Sequence, residues 1–195
     1  MILNEINKKI QKSDTGFTLH YPFLYSLVMG MECSNVLEFG SGFSTHCILH
    51  ALKKTGGTLR SFDVTNSNEN KNITRYSKRS KNWIFCHGDS NLIFNDFDHP
   101  NYDVILHDGS HVGSEVLTDL ENAYPLLKKS GILLLHDTMH PTLGQEMMSA
   151  FEDFSKDRNV EFCHLPYGYG LTLIRNQENT ANPIELTWEK KVVNV

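Results

Sequence analysis

Short aliphatic runs alternate along this chain with longer stretches whose apolar residues recur every three or four positions. HYPFLYSLVMGM (20–31) predicts a first helix, and NVLEF (35–39), a continuous apolar run ending in Gly-Ser-Gly, predicts a buried strand. STHCILHALKK (44–54) holds Cys47, Ile48, Ala51 and Leu52 at helical spacing. TLRSFDV (58–64) and NWIFCHG (82–88) predict the second and third strands, with a polar surface helix between them over 68–80. YDVILHD (102–108) predicts the fourth strand. The long segment 112–129 predicts a helix with Val112, Val116, Leu117, Leu120, Ala123, Leu126 and Leu127 on its apolar face. Pro125 should kink that helix or split off its last turn, and Ser130-Gly131 should end it. GILLLHD (131–137) predicts the fifth strand, 143–157 a further helix, and 160–175 a closing hairpin through Tyr167-Gly168. Strands alternating with helices predict an α/β fold, a doubly wound parallel sheet covered on both faces. The expected organisation is one domain over 1–195, with a helical segment at 1–30 and a tail at 176–195 that carries no clear assignment.

Composition narrows the function classes. A length of 195 residues with 39% hydrophobic and 21% charged residues suits a single globular domain. A net charge of -5 and a pI near 6.0 argue against a general binder of nucleic acid or anionic membrane. The basic stretch at 71–81 reads as a solvated helix face. No apolar run approaches the roughly 20 residues of a membrane span, and the polar N-terminus has no signal-peptide core. Cys33, Cys47, Cys86 and Cys163 are scattered, without metal-finger spacing, which predicts reduced thiols in a cytoplasmic protein.

The candidate chemistry begins where the first strand meets Glu38-Phe39-Gly40-Ser41-Gly42-Phe43-Ser44-Thr45. Glycines between a strand end and a helix start let a ligand approach the backbone. An acid at position 38 disfavours phosphate and suits a cationic or hydroxyl-bearing ligand. No P-loop lysine follows. Asp63 ends the second strand about 20 residues later, the spacing of an acid that grips ribose hydroxyls. Asp89 follows the third. Singly, Asp63 and Asp89 read as turn or cap residues. Three acids at three successive strand ends read as the lining of one ligand.

NVLEFGSGFSTHCI, SFDV, CHGDS, YDVILHDGSH and GILLLHDT, in this order, resemble the class I S-adenosylmethionine-dependent methyltransferases. Among them the set is most similar to the small macrolide- and sugar-type O-methyltransferases with an E-x-G-x-G-x-S-T loop. The resemblance covers roughly residues 20 to 175. It implies a Rossmann-like, mostly parallel seven-stranded sheet with an antiparallel C-terminal strand. It also implies a cofactor site in which Glu38 lies near the methionine amino end and Gly40 and Gly42 line the sugar side. Asp63 would take the ribose hydroxyls, Asp89 and Ser90 the adenine, and Asp108 would adjoin the methyl group. Ser44 and Thr45 would support the loop.

Two echoing clusters follow strands four and five, HDGSH (107–111) and HDTMH (136–140). The resemblance sets Asp108 and Asp137 side by side as ligands of a magnesium-like ion, His136 in the third ligand position, and His111 as general base. His136 stands where the family often has an acid, and imidazole shifts preference from magnesium toward manganese, iron, nickel or zinc. Three readings stay open: a different metal, His136 turned away, or no metal. Strand alternation should also send His136 and Asp137 to opposite faces. His107 reads as a packed strand residue, His140 as a loop residue, and histidines 20, 46, 50, 87, 99 and 164 as structural. His111 is open between base and cap of the following helix.

The leading expectation is methyl transfer from S-adenosylmethionine to a small-molecule hydroxyl, with or without a metal ion. Its rivals are a metal-independent N- or O-methyltransferase, a non-catalytic cofactor-binding or interaction protein, and a metal hydrolase. The last would leave the glycine loop unexplained. The short chain leaves little room for a cap over the acceptor, so a partner subunit or second copy would supply the missing wall. Acceptor specificity falls to 10–30, 138–146 and 166–170.

Overall fold

In the computed structural model, residues 2–13 and 16–176 are described. The chain runs through α1 (Ile2–Lys12), α2 (Tyr21–Gly30), β1 (Asn35–Phe39), α3 (Phe43–Thr55), β2 (Thr58–Asp63), β3 (Trp83–His87) and the one-turn α4 (Ser90–Ile93). It continues through β4 (Tyr102–His107), α5 (Gly113–Ala123), β5 (Leu127–His136), α6 (Gly144–Ser155), β6 (Val160–Leu165) and β7 (Leu171–Asn176). The seven strands form one sheet in the order β3-β2-β1-β4-β5-β7-β6. β1 to β5 are parallel, while β7 runs antiparallel to both β5 and β6. This is the doubly wound sheet with an antiparallel C-terminal pair that the sequence predicts. Buried side chains pack both faces: Phe39, Phe62, Ile105 and Leu133 under α5 and α6, and Val36, Leu59, Val104 and Leu134 under α2 and α3.

Two elements depart from expectation. The polar segment 68–80 forms turns and one 3-10 turn, Ser77–Arg79, rather than a helix. Its Asx turns explain this, because Asn66 and Asn70 side chains accept from the backbone N–H groups of Asn68 and Asn72 and so compete with helical bonding. The helix expected over 112–129 ends at Ala123. A 3-10 turn with Pro125 (Tyr124–Leu126) follows, and β5 already begins at Leu127. Val112 is its N-cap and is exposed. Ser130-Gly131 therefore lies inside β5, at a register shift against β4. The tail lies outside the described residues from position 177 onward.

The register fixes where chemistry can sit. Phe39 of β1 stands between Phe62 of β2 and His107 of β4, so the carboxyl ends of these strands finish at one level. β1 and β4 are neighbours whose helical connections depart in opposite directions, so a crevice opens between their ends.

Candidate active site

Gly40 leaves β1 with φ +78°, and a Cβ there would stand 2.1 Å from the Asp108 carbonyl oxygen. The glycine lets the β1 and β4 exits touch at the crevice floor. Gly42, at φ -174°, is simply extended, and a Cβ there would meet little. Ser41 is pinned from the side: its N–H donates to Asp63 Oδ2 at 2.9 Å, its hydroxyl donates to the same oxygen, and Asn70 donates to its carbonyl. Asp63 thus braces the loop, and its other oxygen accepts from Thr65 N–H. Asp89 caps α4 by accepting from Asn91 N–H. Both acids therefore have the turn and cap roles that each suggests singly. Both also line a cleft of about 340 Å³, together with Gly40, Ser41, Ser90, Asp108 and Gly109.

Glu38 is fully buried. It sits behind the loop, and the hydroxyls of Ser44, Thr45 and Ser61 donate to it at 2.7, 2.8 and 2.6 Å. Ser44 and Thr45 thus support the loop through the acid beneath it. Burial pushes the Glu38 carboxyl up to about 7, although the three hydroxyls favour its charged form. A carboxyl whose pKa is raised by folding stabilises the fold fully below its unfolded value, 4.5, and this contribution is lost as the pH rises through 7. Unfolding in urea between pH 4.5 and 7 should therefore show a fall of roughly 3 kcal/mol from this group, absent in Glu38→Gln.

At the ends of β4 and β5, Asp108, His111, His136 and Asp137 converge. His136 Nε2–H donates to the Gly168 carbonyl at 3.0 Å, and its Nδ1 faces Asp108 Oδ1 at 3.1 Å and Asp137 Oδ1 at 3.2 Å. His111 Nε2 stands 2.7 Å from Asp137 Oδ2. Strand alternation fails to separate His136 from Asp137 because Asp137 adopts a left-handed backbone, φ 59°, which swings its carboxylate back toward the cluster. Burial opposes charge on His136, but the two carboxylates outweigh it and push it up to about 10. The Asp137 bond raises His111. Burial would raise Asp137, yet the two imidazoles hold it well below the usual carboxylate range.

The remaining histidines divide. His107 bonds Asp119 at 3.0 Å in the core, and His140 accepts from the N–H groups of Thr142 and Leu143, both structural as expected. His111 does not cap α5, whose N-cap is Val112. His20, read from sequence as structural, packs its ring 5.4 Å from that of His136 and shares the Gly168 carbonyl with it. Burial lowers its pKa to about 4. Only the folding of the 16–20 turn against the 167–170 turn brings it there.

Asp137 Oδ1 is buried, and its 3.2 Å contact with His136 Nδ1 is not an aligned hydrogen bond; Asp108, His111 and Asp137 offer ligand atoms within 4.8 Å of one another. Ligands each about 2.1 Å from a tetrahedral ion stand about 3.4 Å apart, and the contacts of His136 Nδ1 with the two acids, at 3.1 and 3.2 Å, come near that spacing. The group fits a cation, and its mix of imidazole and carboxylate suits manganese or zinc better than magnesium.

A second cleft, of about 680 Å³, joins the first at Ser41 and Asp108. Lys8, Lys9 and Lys12 of α1, Thr18, Tyr21, Gly42, Phe43 and Ser44 line it. The lysines escape the sequence reading because nothing in α1 alone says which way its basic face turns. Tyr167 packs on His20 and Tyr169 on His140, so both serve packing. All four cysteines are free thiols, and no helix among the described residues is long and apolar enough to cross a membrane.

A family model described as a methyltransferase domain matches residues 37–138. No curated protein matches the chain in sequence. A Podospora anserina methyltransferase solved with S-adenosylhomocysteine is 16% identical, with a TM-score of 0.69 over 82% of this chain and 79% of that one. An O-methyltransferase from Bacillus cereus, also with S-adenosylhomocysteine, is 15% identical, with a TM-score of 0.62 over 80% of each chain. MycE, a methyltransferase of mycinamycin biosynthesis solved with Mg, S-adenosylhomocysteine and mycinamycin VI, is 18% identical, with a TM-score of 0.57. That match covers 88% of this chain and 52% of MycE.

Proposed function

The chain belongs to the methyltransferase-domain family, and from that premise we propose that it transfers a methyl group from S-adenosylmethionine to a hydroxyl of a small molecule. The observation that carries this reading is the meeting of two clefts at Asp108. The smaller, over the carboxyl edge of β1 to β4, holds the nucleoside. Asp63 Oδ1, with one backbone donor already, keeps a lone pair for a ribose hydroxyl. Asp89 and Ser90 lie at the adenine end. Gly40 and Gly42 let the sugar lie close to the backbone, and Glu38 acts through Ser44 and Thr45 rather than by direct exposure. The larger cleft takes the acceptor. The donor's sulfonium methyl reacts by in-line displacement, so the main task of the protein is alignment.

His111 is the proposed base. Asp137 accepts its Nε2–H and thereby leaves the Nδ1 lone pair for the acceptor's proton. A divalent cation, when bound, would be held by Asp108 and Asp137 with His136 or His111 beside them, and would polarise the acceptor hydroxyl. A metal-independent reading has its own support, because His136 already contacts both acids. Calorimetric titration with S-adenosylhomocysteine, in EDTA and then in excess manganese, tests the function. Micromolar binding in both buffers is expected. Absence of binding in both buffers would sink the cofactor assignment and leave an interaction protein built on this fold. Methyl transfer that survives EDTA would select the metal-independent form.

A further inference from the structure

We propose that Glu5, His46 and His50 form a second metal site, of the zinc type, that fastens α1 to α3. His46 and His50 are four residues apart on α3, so their rings share one face a turn apart, with centroids at 4.5 Å. α1 lays Glu5 against that face: its Oε2 stands 2.9 Å from His46 Nε2. One ligand atom from each of the three lies within 4.8 Å of the others. Two imidazoles and a carboxylate are a zinc donor set, leaving a fourth position for water.

The surroundings hold both rings in place. Thr74 Oγ1 lies 2.9 Å from His46 Nδ1, which turns Nε2 toward Glu5, and Thr74 is itself held by Ser77. An oxygen on the far nitrogen is the usual support of a metal-bound histidine. His50 stacks on Tyr76, 4.0 Å between centroids and 16° between planes. That stack holds His50 with a ring nitrogen within 4.8 Å of the ligand atoms of His46 and Glu5. Burial lowers the pKa of both histidines and so favours the neutral form that binds metal. Lys9, Lys53 and the N-terminal amino group are the cations felt there. The Glu5 side chain is 48% exposed, which gives an ion a way in. Since α1 carries Lys8, Lys9 and Lys12 into the larger cleft, the ion would stiffen that wall.

The test is equilibrium dialysis of the full chain against zinc chloride, with trypsin cleavage within α1 followed in parallel. One zinc that binds roughly tenfold or more weakly in both Glu5→Gln and His50→Ala, and unchanged in His111→Ala, is expected. Zinc should slow cleavage within α1 in the unmodified chain but not in His50→Ala. Both substitutions touch side chains outside the core, and Thr74→Val, which removes no ligand, should weaken binding in the same direction. Zinc binding equal to the unmodified chain in Glu5→Gln and His50→Ala overturns the proposal. So does no binding at all, or loss in His111→Ala of the same zinc that Glu5→Gln and His50→Ala weaken.

Discussion

Replacing His111 with alanine should lower kcat by roughly two to four orders of magnitude and leave affinity for S-adenosylhomocysteine unchanged. The ring stands on the loop between β4 and α5, partly exposed, with Nε2 tied to Asp137 and a ligand atom within 4.8 Å of Asp108, the residue that lines both clefts. It forms no part of the nucleoside cleft, so binding and turnover should separate. Exogenous imidazole should restore part of the lost rate, because the cavity left behind opens to solvent. Asp137→Asn should lower kcat in the same direction through loss of ring orientation. Single-turnover methyl transfer with saturating cofactor is the measurement. Full rate in His111→Ala would falsify the base assignment and leave proximity to the methyl group as the source of catalysis.

Gly40→Ala should abolish cofactor binding, and Gly56→Ala should not. Both glycines have a left-handed backbone, φ +78° and +82°, so alanine costs each about 1–2 kcal/mol of conformational strain. They differ in what the new methyl meets. At Gly56, the C-cap of α3, there is nothing within 4 Å. At Gly40 the Asp108 carbonyl oxygen is 2.1 Å away. That atom is backbone and cannot rotate aside, so β1 and β4 must part at the floor of the crevice. Urea unfolding with S-adenosylhomocysteine titration separates the effects. Gly56→Ala should lose stability alone, while Gly40→Ala should lose stability and at least a hundredfold in affinity, roughly 2.7 kcal/mol. Equal affinity in the two variants would mean that strand separation at Gly40 does not reach the ligand.

Local patterns in the sequence determined much of this protein. The aliphatic runs at 35–39, 58–64, 82–88 and 102–108 became β1 to β4 within a residue at each end, and β1 and β4, buried on both faces, have the fewest polar positions to blur them. Glycine and acid at strand ends likewise marked the crevice, since parallel register brings all those ends to one edge. The helix expected over 68–80 was lost to asparagine side chains competing for backbone N–H groups, a contest that periodicity alone does not weigh. Left-handed geometry at Asp137, the meeting of His20 with His136, and the turn of the α1 lysines toward the cleft were decided by tertiary structure alone. Each depends on contacts between residues 26 to more than 100 positions apart. Sequence spacing fixes which face of an element a residue occupies; only packing fixes which other element that face will meet.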